Sequence, residues 1–188
     1  KRIAIHGGSI RYYACKASSR WAKAVTNRVH LLRQDEAAQG LDRVETFQHF
    51  AAEIARRKGT LMAFLERLRR AGKRVAGYGA SGRANTIIQY CGIGREHLEY
   101  MIDDAPAKWG FHTPGSHLEI RSREALQAAA PDYLVVFAWG YLNEIAEKCK
   151  PYLDRGGKLL TPLPFSMTSP MNSWPRMSPF SMVGTKLL

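Results

Sequence analysis

The stretch that decides the fold is Arg74-Val-Ala-Gly-Tyr-Gly-Ala-Ser-Gly-Arg83. Its glycines have the spacing Gly-x-Gly-x-x-Gly, at Gly77, Gly79 and Gly82. A short apolar run before them predicts a strand, a helix is predicted after them, and Asp103 and Asp104 close the next predicted strand. Such glycines let the backbone approach a phosphate, and the helix N-terminus supplies free N–H groups. The pattern indicates a nucleotide- or phosphate-binding turn; the alternative is that the glycines only permit a tight turn.

Strands and helices alternate in the sequence around this turn. Strands are predicted at 74–78, 98–102, 133–138 and 158–161, and helices at 81–90, 122–129 and 142–153. The run Tyr-Leu-Val-Val-Phe-Ala at 133–138 is continuously apolar, as in a strand that is buried on both faces of a parallel sheet. The order predicts an α/β fold, a Rossmann-like, doubly wound and mostly parallel sheet.

The chain divides into three predicted segments. Residues 1–72 form a lead, in which strands at 3–5 and 9–15 and a loop or mobile segment at 16–40 precede a long linking helix. This helix begins at Asp42, carries apolar residues every three or four positions, and ends at Gly72. Residues 73–164 form the nucleotide-binding domain. Residues 165–188 are an irregular tail rich in Pro, Met and Ser, predicted to be an extended arm or disordered.

The net charge of +12 is concentrated at one end of the chain. Residues 1–74 hold 17 Lys/Arg against 6 Asp/Glu, whereas residues 75–188 hold 11 against 10. An acidic partner surface or a solvated face explains this better than nucleic acid, because no nucleic-acid-binding motif accompanies the charge. No apolar run is long enough to span a membrane. Three scattered cysteines indicate reduced thiols and a cytoplasmic location, and their spacing predicts no metal site.

The predicted substrate-binding residues surround the glycine-rich turn. Ser81 adds a hydroxyl, Arg83 a fixed positive charge and Asn85 an amide, all at the start of the helix. Lys108 follows the carboxylate pair, and it either pairs with these carboxylates or faces a phosphate. The complete predicted set is Gly77, Gly79, Ser81, Gly82, Arg83, Asn85, Asp103 and Lys108.

His6 is the candidate catalytic residue. It stands beside Gly7-Gly8, where an imidazole is accessible and can act as a base or a hydrogen-bond donor. The alternative is that His6 simply ends a strand. His112 and His117 have no metal-ligand partner in the sequence, and no set of nucleophile, histidine and acid is recognisable.

A series of short motifs follows one another along the chain, namely His6-Gly-Gly-Ser9 with Arg11, Gly77-Tyr-Gly-Ala80 with Gly82-Arg83, Asn85-Thr86, Tyr90-Cys-Gly-Ile93, Asp103-Asp104-x-Pro106-x-Lys108, Thr113-Pro-Gly115-x-His117, Pro131-Asp-Tyr133, Phe137-Ala-Trp139, Glu144-Ile145 and Gly156-Gly157-Lys158. In this order and spacing they resemble the C-terminal domain of S-adenosylmethionine-dependent C-methyltransferases that act on nucleotide-linked deoxysugars. The resemblance runs from about residue 6 to residue 164.

The resemblance implies a nucleotide-sugar-binding and structural half of a larger enzyme. A complete member has a zinc domain and an S-adenosylmethionine-binding domain before this one. It forms an enolate on the sugar, and this enolate attacks the methyl sulfonium. No cofactor is therefore expected in this chain, which should be inactive alone and should have a nucleotide-linked sugar and the methyltransferase domain as partners. Gly140 departs from the family, which often has Asn there.

Two other hypotheses stay open. The complete Gly-x-Gly-x-x-Gly pattern is also typical of an NAD(P)-binding oxidoreductase domain, although little chain remains for a substrate domain. The third hypothesis is a non-catalytic binding module that docks through its basic face.

Overall fold

The computed structural model describes residues 1–3, 9–24, 26–128, 130–162 and 165–168. The described residues fall into two compact units, one that ends at Ala55 and one that begins at Arg56. No helix in these ranges has both the length and the apolar character needed to cross a lipid bilayer.

The first unit begins with two short antiparallel strands, β1 (Arg2–Ile3) and β2 (Ser9–Ile10). A 3₁₀ turn at Arg20–Ala24 and the helix α1 (Arg28–Ala38) follow. The prediction of a loop over 16–40 was therefore wrong. The helix α1 buries none of its side chains, so it needs no apolar stripe. Without such a stripe, the sequence pattern does not reveal the helix. The second strand is also much shorter than the predicted 9–15.

The long helix α2 spans Val44–Arg70, as the sequence predicts within two residues. It ends where Gly72 adopts a φ of +64°, a left-handed conformation that glycine enters without steric cost. The Lys73 amide donates to the Leu68 carbonyl and closes the last turn. The C-terminal half of α2 packs in the core through Leu61, Phe64, Leu65 and Leu68.

The second unit contains a six-stranded sheet in the order β5-β4-β3-β6-β7-β8. The first five of these strands are parallel, and β8 is antiparallel to β7. The strands are β3 (Val75–Tyr78), β4 (Met101–Ile102), β5 (Ile120–Arg121), β6 (Tyr133–Val136), β7 (Lys158–Pro162) and β8 (Phe165–Thr168). This arrangement confirms the predicted α/β, Rossmann-like fold.

Helices cover both faces of the sheet, so the strands are buried on both sides. The C-terminal half of α2 and helix α3 (Gly82–Cys91) pack on one face. The other face carries α4 (Ala125–Ala128), α5 (Leu142–Lys148) and α6 (Lys150–Asp154). The predicted single helix over 142–153 is divided at Cys149, before the proline at position 151.

The tail differs from the prediction at its start. Residues 165–168 form β8, which pairs with β7 from Leu159 opposite Thr168 to Pro162 opposite Phe165. The prediction of irregular chain was therefore wrong for 165–168, and residues 169–188 lie outside the described residues.

Candidate functional site

The site lies where the sheet reverses its winding direction. From β3 the chain passes through α3 to β4 on one side, and from β6 it passes through α5 and α6 to β7 on the other. The carboxyl ends of β3 and β6 are adjacent, and the Phe137 amide donates to the Tyr78 carbonyl over 2.9 Å. Open α/β sheets bind ligands at such a switch point. The turns after β3 and β6 therefore line one crevice.

Two of the three predicted glycines are required by packing and backbone conformation. A Cβ atom at Gly77 would overlap the Met101 side chain and lie 3.2 Å from the Phe137 ring. Gly79 has a φ of +93°, and its Cβ would lie 2.8 Å from the Ala138 Cβ. Gly82 is different, because a Cβ built there meets nothing within 4 Å. Gly77 is thus a core residue, Gly79 shapes the turn, and Gly82 begins α3 beside open space.

The N-terminus of α3 has unused hydrogen-bond donors. The Ser81 hydroxyl accepts from the Ala84 amide over 3.3 Å and caps the helix. Among the described residues, the amides of Gly82 and Arg83 have no acceptor. The Arg83 side chain is exposed and makes no ion pair within the described ranges. This end of α3 therefore combines the positive end of the helix dipole with an unpaired guanidinium.

Asn85, one turn into α3, has an unsatisfied buried atom. Its Oδ1 is inaccessible to water and has no hydrogen-bond partner among the described residues. A buried acceptor without a donor is costly, and most such atoms in proteins have a partner. Asn85 is thus a polar side chain near the start of α3 whose acceptor is not used by the described residues.

Asp103, Lys108 and Trp109 form a hydrogen-bonded cluster at the end of β4. Lys108 Nζ donates to Asp103 Oδ2 and to the Ala80 carbonyl, both over 3.0 Å. The Ala105 amide donates to Asp103 Oδ1 over 2.9 Å, and Trp109 Nε1 donates to the Asp103 carbonyl over 2.8 Å. Of the two alternatives for Lys108, the structure shows the ion pair with a carboxylate, that of Asp103. Through the Ala80 carbonyl, Lys108 is also bonded to the glycine-rich turn.

Asp104 is engaged in a second set of contacts. It accepts from the Tyr78 hydroxyl over 2.6 Å and from Lys148 Nζ over 2.7 Å, and Lys148 also contacts Glu144 over 2.7 Å. Partial burial raises the pKa of Asp104, but the hydrogen bonds from Lys148 and Tyr78 outweigh this effect and leave the pKa below its usual value. Burial and the bond to Asp104 raise the pKa of Tyr78. Both carboxylates at the end of β4 thus have internal partners.

The sequence did not identify two exposed aromatic residues in the loops that follow β4 and β6. Trp109 is 41% exposed, and Tyr141, in the turn after β6, is 50% exposed. Their sequence signal is an aromatic residue in a loop that follows the carboxyl end of a central strand. His6, the predicted catalytic residue, lies outside the described residues, so its position is not tested. Within the described ranges, no group of three or more His, Cys, Asp or Glu residues converges as a metal site.

A separate cavity of about 570 Å³ lies away from the crevice. Its lining includes Gln89, at the end of α3, and Ser116 and His117, in the loop before β5. These segments lie at the amino ends of the parallel strands, so the cavity opens at the sheet edge opposite to the glycine-rich turn. The turn itself remains the better ligand site, because its donors are unused.

Comparison with known proteins identifies the family. Residues 4–164 match the family model of the C-methyltransferase C-terminal domain. The chain is also 31% identical over 160 residues to the C-methyltransferase NovU of Streptomyces niveus. This alignment covers 85% of the chain but 38% of NovU, so the chain spans well under half the length of that relative. The chain therefore belongs to the family of C-methyltransferase C-terminal domains.

Proposed function

We propose that this chain is the nucleotide-sugar-binding and structural half of an S-adenosylmethionine-dependent sugar C-methyltransferase. The observation that carries the proposal is the unused positive end of α3, where the Gly82 and Arg83 amides and the Arg83 guanidinium have no partner among the described residues. Backbone N–H groups, a helix dipole and an arginine at one place favour a phosphate. The diphosphate of a nucleotide-linked sugar supplies this charge.

The same turn does not fit S-adenosylmethionine. Its sulfonium group is a cation, and the N-terminus of α3 beside Arg83 repels positive charge. Asp103 and Asp104, which stand where a carboxylate would hold a ribose, are occupied by Lys108 and by Lys148 with Tyr78. We therefore propose that the methyl donor binds elsewhere in the complete enzyme and that this chain lacks the donor-binding loop.

The occupied carboxylates also disfavour the oxidoreductase alternative. In dinucleotide-binding folds, an acidic residue at the end of the strand next to the glycine-rich turn accepts from the ribose 2′-hydroxyl. Here Asp103 is buried and takes its bonds from Ala105 and Lys108. We assign Asp103 and Lys108 the role of positioning the turn, and Ser81, Gly82, Arg83 and Asn85 the proposed contacts with substrate.

The first unit presents a surface for the rest of the enzyme. Along the N-terminal half of α2, four large apolar side chains are at least 36% exposed, namely Val44, Phe47, Phe50 and Ile54. The alignment leaves most of the length of NovU without a counterpart in this chain. We therefore propose that the methyltransferase domain covers this stripe, with acidic groups facing the basic residues of 1–74. His6 remains the proposed catalytic residue of this part of the chain.

Hydrogen exchange tests the proposed docking surface. The chain would be measured alone and after co-expression with the part of NovU that has no counterpart in it. Slower exchange in residues 44–55 supports the proposal, with helix α6 of the second unit as an internal reference. Unchanged exchange in a complex that does form would contradict it.

A cytoplasmic location is also proposed, and the three free thiols of Cys15, Cys91 and Cys149 support it.

Calorimetry with thymidine diphosphate tests the phosphate site. Arg83→Ala should weaken binding by about 10- to 150-fold, the effect of losing a hydrogen bond to a charged group. Arg33→Ala is the matched control, because Arg33 is an exposed arginine on α1, in the first unit. Equal affinities of the wild type and Arg83→Ala would contradict the proposed site.

A further inference from the structure

We infer that the Trp109 indole is the surface on which a nucleobase stacks, in a subsite at the carboxyl end of β4 beside the proposed phosphate-binding turn. This inference rests on the proposed function, since it assigns the base of the same nucleotide. The ligand class is a nucleoside diphosphate or its sugar conjugate, whose aromatic base lies on the indole while the diphosphate lies at the N-terminus of α3.

The indole is held in place before any ligand binds. Its Nε1 donates to the Asp103 carbonyl over 2.8 Å, which fixes one edge of the ring. Its backbone amide donates to the Pro106 carbonyl over 3.1 Å, and the next amide, that of Gly110, donates to the Ile120 carbonyl over 2.9 Å. Both ends of the residue are thus anchored. A side chain that is already ordered loses little conformational entropy on binding, which favours affinity.

The indole also lies at a suitable place relative to the turn. Asp103 directly follows β4, the neighbour of β3, and neighbouring strands lie about 4.8 Å apart. Lys108, next to Trp109, reaches the Ala80 carbonyl inside the turn over 3.0 Å. In nucleotide-binding α/β folds, the nucleoside lies over the end of this neighbouring strand.

The chemistry at the end of β4 favours stacking over a carboxylate–ribose contact. Asp103 and Asp104 are both occupied by internal partners, whereas the indole remains 41% exposed. Because Nε1, the only polar atom of the indole, is already bonded, the rest of the ring offers a ligand only π and apolar surface. Such a surface attracts any nucleobase, since every base has a π face.

The test compares ligands with and without a base. Thymidine diphosphate and inorganic pyrophosphate would be titrated into the 188-residue chain and into its Trp109→Ala and Trp109→Phe variants, with calorimetric detection. Trp109→Ala should weaken thymidine diphosphate roughly 5- to 100-fold, as expected for one lost stacking contact, and leave pyrophosphate unchanged. Trp109→Phe should retain most of the affinity. Trp21→Ala, an exposed tryptophan of the first unit, is the matched aromatic control.

Each other outcome is informative. An equal loss of both ligands in Trp109→Ala means that the indole only supports the turn, which overturns the subsite. Equal affinity of the wild type for the two ligands, or an equal loss of thymidine diphosphate affinity in Trp21→Ala, also overturns the subsite and leaves the phosphate site in place. A wild-type chain that binds neither ligand overturns the subsite together with the proposed function.

Discussion

Gly79 shows at the residue scale how the backbone shapes the site. Its φ of +93° is rare for any residue with a side chain, and its neighbour across the crevice, Ala138, leaves no space for a Cβ. Gly82, three residues later, has neither constraint. The glycine pattern therefore combines one residue needed for conformation with one that leaves the helix start open to a ligand.

The first prediction separates these two glycines. Gly79→Ala should lower the free energy of unfolding by about 1–3 kcal/mol, because it combines backbone strain with a steric clash. Gly82→Ala should change it by less than about 1 kcal/mol, since its Cβ enters open space. Urea denaturation measures both. Equal destabilisation by the two substitutions would contradict the assigned roles.

The contacts of Asp104 predict a pH-dependent contribution to stability. The folded-state pKa of Asp104 is lowered, so its stabilisation is present above its unfolded pKa and is lost as the pH falls through the folded value. Lys148→Met removes one of the groups that lower this pKa. The variant should be less stable than the wild type at neutral pH, and the difference should shrink below about pH 4. Denaturation across pH measures this, and a difference that grows on acidification would contradict it.

At the element scale, the sequence predicted those helices and strands that bury a regular apolar pattern. The helix α2 and the continuous strand β6 were found, although the predicted strand over 133–138 ends at Val136. The helix α1 was missed because it buries no side chain. The two-residue strand β5 is too short to show a period, and the prolines near β8 indicated irregular chain rather than an edge strand.

The third prediction concerns the two halves of α2. Leu65→Ala should lower the free energy of unfolding by about 2–5 kcal/mol, because Leu65 is 1% exposed and its removal leaves a cavity in the core. Phe50→Ala should change it by less than about 0.5 kcal/mol, since Phe50 is 62% exposed. Thermal unfolding of both variants is the measurement. A large effect of Phe50→Ala in the isolated chain would mean that the stripe is already covered.

At the scale of the whole molecule, the sequence located the glycine-rich turn but not the contacts that its residues make. Spacing alone placed the glycines, Ser81 and Arg83 at the start of a helix. It did not show that Gly77 packs in the core, or that Lys108 is bonded to Asp103, because both depend on contacts made across strands. Trp109 was missed for the same reason, since its bond to Asp103 exists only in the folded chain.

The uneven charge gives the fourth prediction. The excess of 17 Lys/Arg over 6 Asp/Glu in residues 1–74 should bind DNA or heparin without sequence preference when no partner covers it. Binding should be largely lost between about 50 and 200 mM salt, because polyanion association depends on counterion release. Gel-shift series over salt and sequence measure it. Sequence-selective binding that survives high salt would favour a nucleic-acid-binding module.

The most direct test of the proposed function is calorimetry of the isolated chain with three ligands, namely thymidine diphosphate, NADH and S-adenosylmethionine. The unused donors at the start of α3 and the occupied carboxylates at the end of β4 predict that thymidine diphosphate binds more tightly than either other ligand. The proposed function assigns the other side of the cleft to the methyltransferase domain, so we expect this binding to be weak in the isolated chain. NADH bound more tightly than thymidine diphosphate, or S-adenosylmethionine bound with micromolar affinity, would contradict the account.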